Sequence, residues 1–375
     1  MRQRIRRSRF FASCLLTIIA TGALPQAQVT EQAPRRLLDS LGLRGGTVQR
    51  LVLPWTEGQP FETSLELGGI RRQLIVAPYD MRSADFKIVG LDDQGEHELL
   101  QVAPTTYRGS VVGVPDSVVA VTLYQGQLSG IVLMDNEIWA VQPATEGFAW
   151  LPRTAHVVYR QDQMKGLAER CGVADAPLAG GAREGGGFPD APQNAEIALE
   201  LEPRFVNKWG GLSNATNQVM SIMNGVDAIY QRDTNIAYTI TRIVFRDAGY
   251  SSNSTAVLNQ MQNLWKAKAL EVTRDMAQLF MGNSGSGVLG VSYLGTVCNA
   301  NNHYSVVWHT NSLTARIAVS AHELGHTWSA GHCDNISQCF IMCAFIGGCS
   351  GVITSFAPVS INQISNFAAT RTCLN

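Results

Sequence analysis

Three of the chain's seven histidines fall between residues 322 and 332, and this cluster constrains the fold more than any other feature. In His322-Glu323-Leu324-Gly325-His326 the two imidazoles are four residues apart. On a helix they share one face, about 6 Å apart at Cβ. His332 follows six residues later and cannot share that face, so the chain must leave the helix and turn back to bring it near. Imidazole nitrogens bind zinc at about 2.0–2.1 Å in tetrahedral geometry. Three such ligands leave a fourth position open for water. Glu323, one position after the first ligand, reaches that water rather than the metal, as a general base would. A helix with solvated or core histidines is the ordinary explanation for one histidine, but it suits a spaced set of four residues poorly.

The remaining composition sets the context. A length of 375 residues fits two domains better than one. The net charge of -1 excludes the basic excess that a nucleic-acid surface needs. Arg2, Arg4, Arg6, Arg7 and Arg9 precede an apolar run from Phe10 to about Leu24, with small residues at Ala20, Ala23 and Ala27. This layout predicts a secretory signal peptide over 1–27, cut after Ala23 or Ala27, that removes Cys14. A membrane anchor is the alternative, but the run is short for a span of roughly 20 residues. No later stretch is long and apolar enough to cross a bilayer. The expected location is therefore extracellular, or periplasmic in a bacterium. Asn214, Asn253 and Asn335 begin glycosylation sequons that matter only in a eukaryotic secretory pathway.

Two halves follow the signal. From about Thr47 to Glu146, short β-branched runs such as Ser117-Val118-Val119-Ala120-Val121-Thr122-Leu123 are broken by turn residues, which predicts strands. His97 and His156 in or beside this half are expected at the surface or in turns. The stretch 172–193 contains Leu178-Ala179-Gly180-Gly181-Ala182-Arg183-Glu184-Gly185-Gly186-Gly187, a flexible linker by composition, with Arg183 a potential cut site. Beyond it, strands are expected over Glu196–Leu201, Ile236–Phe245 and Gly287–Val297. Helices are expected over Asn214–Asp233, Ser254–Phe280 and Ala315–Thr327. Strands alternating with helices make this half α/β. The predicted domains are 28–171, the linker 172–193, and 194–375.

The 322–332 segment resembles the metzincin signature H-E-x-x-H-x-x-G-x-x-H. Ser329 stands where that family has Gly. A non-Gly residue pays for positive φ there, so the turn is expected one or two residues later, near Gly331. Asp334 is a fallback third ligand. Phe340-Ile341-Met342-Cys343 resembles the family's methionine turn, with Met342 beneath the ligands. Gly287 to Cys298, Phe356 to Ile364, Tyr107-Arg108-Gly109-Ser110 and Val114-Pro115-Asp116-Ser117 are similar to the reprolysin (adamalysin) branch and its propeptide.

That resemblance implies a secreted zinc-dependent endopeptidase, monomeric and made as a latent precursor. Its catalytic domain would hold a five-stranded mixed sheet plus helices, preceded by a mainly β propeptide. One catalytic zinc would be held by His322, His326 and His332, with Glu323 as base. A protein or peptide substrate would add as a strand along the edge near Gly287–Leu294. The end at Asn375 implies no disintegrin-like modules. Seven cysteines follow the signal, an odd number in an exported chain. Cys171 resembles a cysteine switch that closes the fourth zinc position, with Arg170 favouring its thiolate and pairing with Asp175. The resemblance also pairs Cys298 with Cys373, while Cys333, Cys339, Cys343 and Cys349 leave three pairings open. Glu196, Asp275 and Asn375 fall near the positions of a structural calcium ion. Two other functions compete: a catalytically silent zinc-containing binding protein, and a metal hydrolase of non-peptide esters or amides.

Overall fold

A computed structural model describes residues 30–174 and 192–374, apart from 56, 93, 101, 136, 248, 252, 268–271, 284–286 and 350–351. The expected signal peptide, Asp175, the Gly-rich part of the linker with Arg183, and Asn375 lie outside the described residues.

Nine antiparallel strands of the first half form one sheet. Their order is Thr30–Gln32, Thr47–Arg50, Ala155–Arg160, Glu137–Pro143, Gln127–Met134, Val118–Tyr124, Thr106–Val111, Ile70–Pro78 and Phe61–Leu67. The sheet curls around a core of its own, into which Val119, Val121 and Leu123 point with Leu65, Leu74 and Tyr107. Period-two alternation sends Ala120 and Thr122 to the opposite face, against the helix Leu212–Thr234. Burial on both faces explains why Val118–Leu123 reads as an almost unbroken apolar run.

The second sheet has eight strands: Arg170–Ala174, Val288–Tyr293, Tyr304–Trp308, Met276–Met281, Gln193–Leu201, Ile236–Arg246, Arg82–Asp92 and Gly95–Leu100. Neighbours run parallel except for Val288–Tyr293 with Tyr304–Trp308 and for the hairpin 82–100. The expected five-stranded sheet is thus corrected to eight. Its five central strands come from residues 193–308, and the first half adds a strand at one edge and a hairpin at the other. Unpaired edges of a sheet attract any extended chain, and here the chain's own first half occupies both.

Other expectations need correction too. The helix expected to reach Phe280 is described over Ser254–Ala267, and Met276–Met281 is a strand buried at every position. A short continuous apolar run carries no period that separates strand from helix. His156 is fully buried, not a surface or turn residue. Its Nε2 accepts the Leu128 N–H at 2.9 Å, and burial pushes its pKa down to about 4, so the ring is neutral.

Helix Leu212–Thr234 lies between the two halves and ends where Asn235 adopts a left-handed conformation, φ 57°. It buries polar residues as well as its apolar stripe, and the first half supplies their partners. Asn224 donates to the Val121 carbonyl at 2.9 Å. Fully buried Asp227 accepts from Arg108 at 2.5 Å and from the Tyr238 N–H at 2.8 Å. Removing one partner of a buried ion pair leaves the other charge uncompensated. Arg108→Ala is therefore expected to cost the full chain about 3 kcal/mol of stability. Urea unfolding would measure it, and a loss below about 1 kcal/mol would refute the pairing's importance.

Candidate metal centre

The helix Leu313–Thr327 begins at Ser312, whose hydroxyl accepts the Ala315 N–H at 3.3 Å, and every one of its residues is buried. His322 and His326 therefore project side by side from a fixed rod. Two carbonyls orient them: His322 Nδ1 lies 2.6 Å from the Ile341 oxygen, and His326 Nδ1 lies 2.7 Å from the Ala330 oxygen. A carbonyl can only accept, so both Nδ1 atoms carry the proton and both Nε2 atoms present lone pairs. Burial pushes the pKa of His322 down to about 3 and that of His326 well below its usual value. Both rings stay neutral, the form that binds metal.

The turn after the helix is made at Ser329, with φ 73°. The expectation of a later turn at Gly331 is corrected. The Ser329 N–H donates to the His326 carbonyl at 2.8 Å and the Ala330 N–H to the Gly325 carbonyl at 2.9 Å. These two bonds hold a strained residue in place at a cost of about 1–2 kcal/mol. The reversal brings His332 back. Its Nε2 is 3.2 Å from the Nε2 of His322 and 3.2 Å from that of His326, which are 2.9 Å from each other. Nitrogens 2.0–2.1 Å from one tetrahedral ion lie about 3.3 Å apart. Two lone pairs 2.9 Å apart with no proton between them repel unless a cation stands against both. This donor set fits zinc.

Met342 is fully buried beneath the same helix. A Cβ on Gly325 would come within 2.6 Å of its Sδ, so glycine is required for this approach. The residue before it, Ile341, holds His322. Asp334 does not join the three histidines: its Oδ1 accepts the Ala344 N–H at 2.9 Å. It is no fallback ligand in this arrangement.

Glu323 is completely buried, and burial raises its pKa to about 8. Its Oε2 accepts the Ser292 hydroxyl at 2.7 Å. Sequence reasoning passed over Ser292 and Gly290 as parts of a glycine-rich strand. The available signal was their separation by two, which puts both on one face of Val288–Tyr293.

Cys171 is buried and free of any disulfide. Its sulfur, a His322 nitrogen and a Glu323 oxygen lie within 4.8 Å of one another. It sits on Arg170–Ala174, which pairs in parallel with the edge strand, Cys171 opposite Gly290. The Cys171 N–H donates to the Ala344 carbonyl at 2.9 Å, so the segment lies between edge strand and methionine-turn loop. Residues 172–174 thus belong to a strand, not to the linker. The Arg170 guanidinium stacks 4.7 Å from the Phe345 ring centre, while burial and the nearby Glu323 push the thiol's pKa up.

The remaining cysteines pair as Cys298–Cys373, Cys333–Cys339 and Cys343–Cys349. Of the expected calcium ligands, Asp275 accepts the Glu196 N–H on Oδ2 at 2.8 Å, and Asn375 lies outside the described residues.

A three-histidine centre with an adjoining carboxylate, on a mixed sheet with helices, is the architecture of a metallopeptidase. Residues 192–369 match the Reprolysin_5 model of metallo-peptidase family M12, and this part of the chain is a reprolysin-type metzincin. Human disintegrin and metalloproteinase domain-containing protein 9 is 24% identical over 251 residues, 61% of this chain and 30% of that relative. The chain thus spans less than a third of that protein. The crystal structure of metalloproteinase-II from Bacteroides fragilis superposes with a TM-score of 0.50 at 12% identity, covering 83% of this chain and 92% of the other. That likeness concerns the fold, and it extends beyond the segment that the family model matches.

Proposed function

We propose that the chain is a zinc-dependent endopeptidase, exported and held latent by its own first half. The observation that carries the reading is the convergence of three imidazole Nε2 atoms within 3.2 Å, with buried Glu323 beside them. His322, His326 and His332 would hold zinc, which supplies a Lewis acid that polarises a scissile carbonyl and acidifies water. Glu323 takes a proton from the attacking water and returns it to the leaving amine. The edge strand Val288–Tyr293 offers its backbone to an extended peptide, which favours peptide bonds over other amides or esters.

Latency follows from what now occupies that edge. Arg170–Ala174 fills the place where a substrate would add, and its Cys171 sulfur stands next to His322 and Glu323. We assign 28–171 to the inhibitory segment, with maturation in 172–193 beyond the strand end at Ala174. Export is supported by the layout of residues 1–27 and by three disulfides, which persist in oxidising compartments. Among the described residues no helix is long and apolar enough to cross a membrane.

The test is casein digestion by chain cut between residues 174 and 192, with and without 1,10-phenanthroline. Activity should fall more than about tenfold with chelator and return with added zinc. Digestion indifferent to chelator would overturn the metal reading. No digestion by cut, zinc-loaded chain would favour a silent binding protein.

A further inference from the structure

We propose that Ser292 is a positioning residue that orients Glu323 and selects which of its oxygens takes the proton. The inference rests on the peptidase reading above and deepens it.

Gly290 and Ser292 are two residues apart on the edge strand and face the active-site helix together. At Gly290 a Cβ would fall 2.4 Å from Glu323 Oε1 and 2.6 Å from its Cδ, so the missing side chain lets the carboxylate lie flat against the strand. At Ser292, fully buried, the hydroxyl donates to Oε2 at 2.7 Å. The other oxygen, Oε1, is buried and accepts from no nitrogen or oxygen donor among the described residues, although in the uncut chain the Cys171 thiol lies beside the carboxylate. The two oxygens are therefore inequivalent. Oε2 has a fixed donor, and Oε1 keeps its lone pairs for a proton.

In the reaction, the O–H bond of water breaks and its proton passes to Oε1 while the oxygen adds to the scissile carbonyl carbon. That proton then moves to the departing amine nitrogen as the C–N bond breaks. Ser292 keeps its own proton throughout and serves only to hold the carboxylate plane. Without the hydroxyl, Oε2 is buried and unpaired, and the carboxylate can rotate so that neither oxygen is held in line with water. Geometry of this kind acts on turnover rather than on peptide binding.

The experiment uses full chain cut between residues 174 and 192, as wild type, Ser292→Ala, Ser292→Thr and Glu323→Gln. Each is measured for zinc content, thermal midpoint, and kcat and KM on an internally quenched peptide. Ser292→Ala should lower kcat about 10- to 100-fold with KM unchanged within about twofold. Zinc content should match wild type, and the midpoint should fall by only a few degrees for the lost hydrogen bond. Ser292→Thr, which retains a donor, should recover most of kcat. Wild-type kcat in Ser292→Ala overturns the inference alone. If the alanine variant loses zinc or unfolds, the threonine variant decides: near-wild-type kcat supports the inference, and a kcat as low as that of alanine overturns it. An inactive, zinc-loaded wild type overturns the peptidase reading and the inference with it.

Discussion

Glu323→Gln is expected to bind zinc at wild-type stoichiometry and to lose turnover by a factor of about 10²–10⁴. The substitution keeps the shape of the side chain, so the tight approach to Gly290 survives. The Gln carbonyl oxygen can still accept the Ser292 hydroxyl that now serves Oε2. None of the three converging nitrogens belongs to residue 323, so the ligand set is untouched. What disappears is the ability to take and return a proton. Zinc analysis paired with kcat/KM on a peptide substrate separates these terms. Turnover within about threefold of wild type would remove the glutamate from its assigned role.

The parts of this site that were legible in the sequence are those set by local geometry. Histidines four apart on a helix must be neighbours, whatever the rest of the chain does. His332 depended on a turn, and there the steric rule misplaced the reversal. Ser329 bears the positive φ itself because two backbone hydrogen bonds outweigh the cost. Cys171 lies more than 150 residues from His322 and Glu323, and only cysteine parity and resemblance pointed to it.

Pairings between distant strands were not legible. The run at Arg82–Asp92 reads as β, but no local pattern says that it joins Ile236–Arg246 and not the sheet formed by its own half. Likewise Asn224 and Asp227 look like the solvent face of an amphipathic helix. They are buried because the nine-stranded sheet of the first half covers that face and supplies Arg108 and two carbonyls. Such partners come from tertiary context, which overrides patterns of polarity read along one segment.

Cys171→Ala in the uncut chain is expected to raise proteolysis about tenfold or more, yet to leave it below that of cut protein. Two separate obstacles meet at this segment. One is the sulfur, within 4.8 Å of a His322 nitrogen and a Glu323 oxygen. The other is the strand itself, paired with Val288–Tyr293 and bonded to the Ala344 carbonyl. A thiol pushed up by burial and by a neighbouring carboxylate stays protonated unless a cation offsets both. A divalent ion held by the three histidines would do so, making the sulfur a strong occupant of the water position. Alanine removes that occupant and only about 1 kcal/mol of packing, so the strand should remain docked. A tenfold rise corresponds to about 1.4 kcal/mol, far less than a thiolate–zinc contact is worth, and so is a conservative threshold. Assay of uncut variant on a quenched peptide, with electrophoresis to verify that no chain has been cut at the linker, measures it. Activity unchanged from the uncut wild type would mean that the strand alone maintains latency and that the sulfur plays no part.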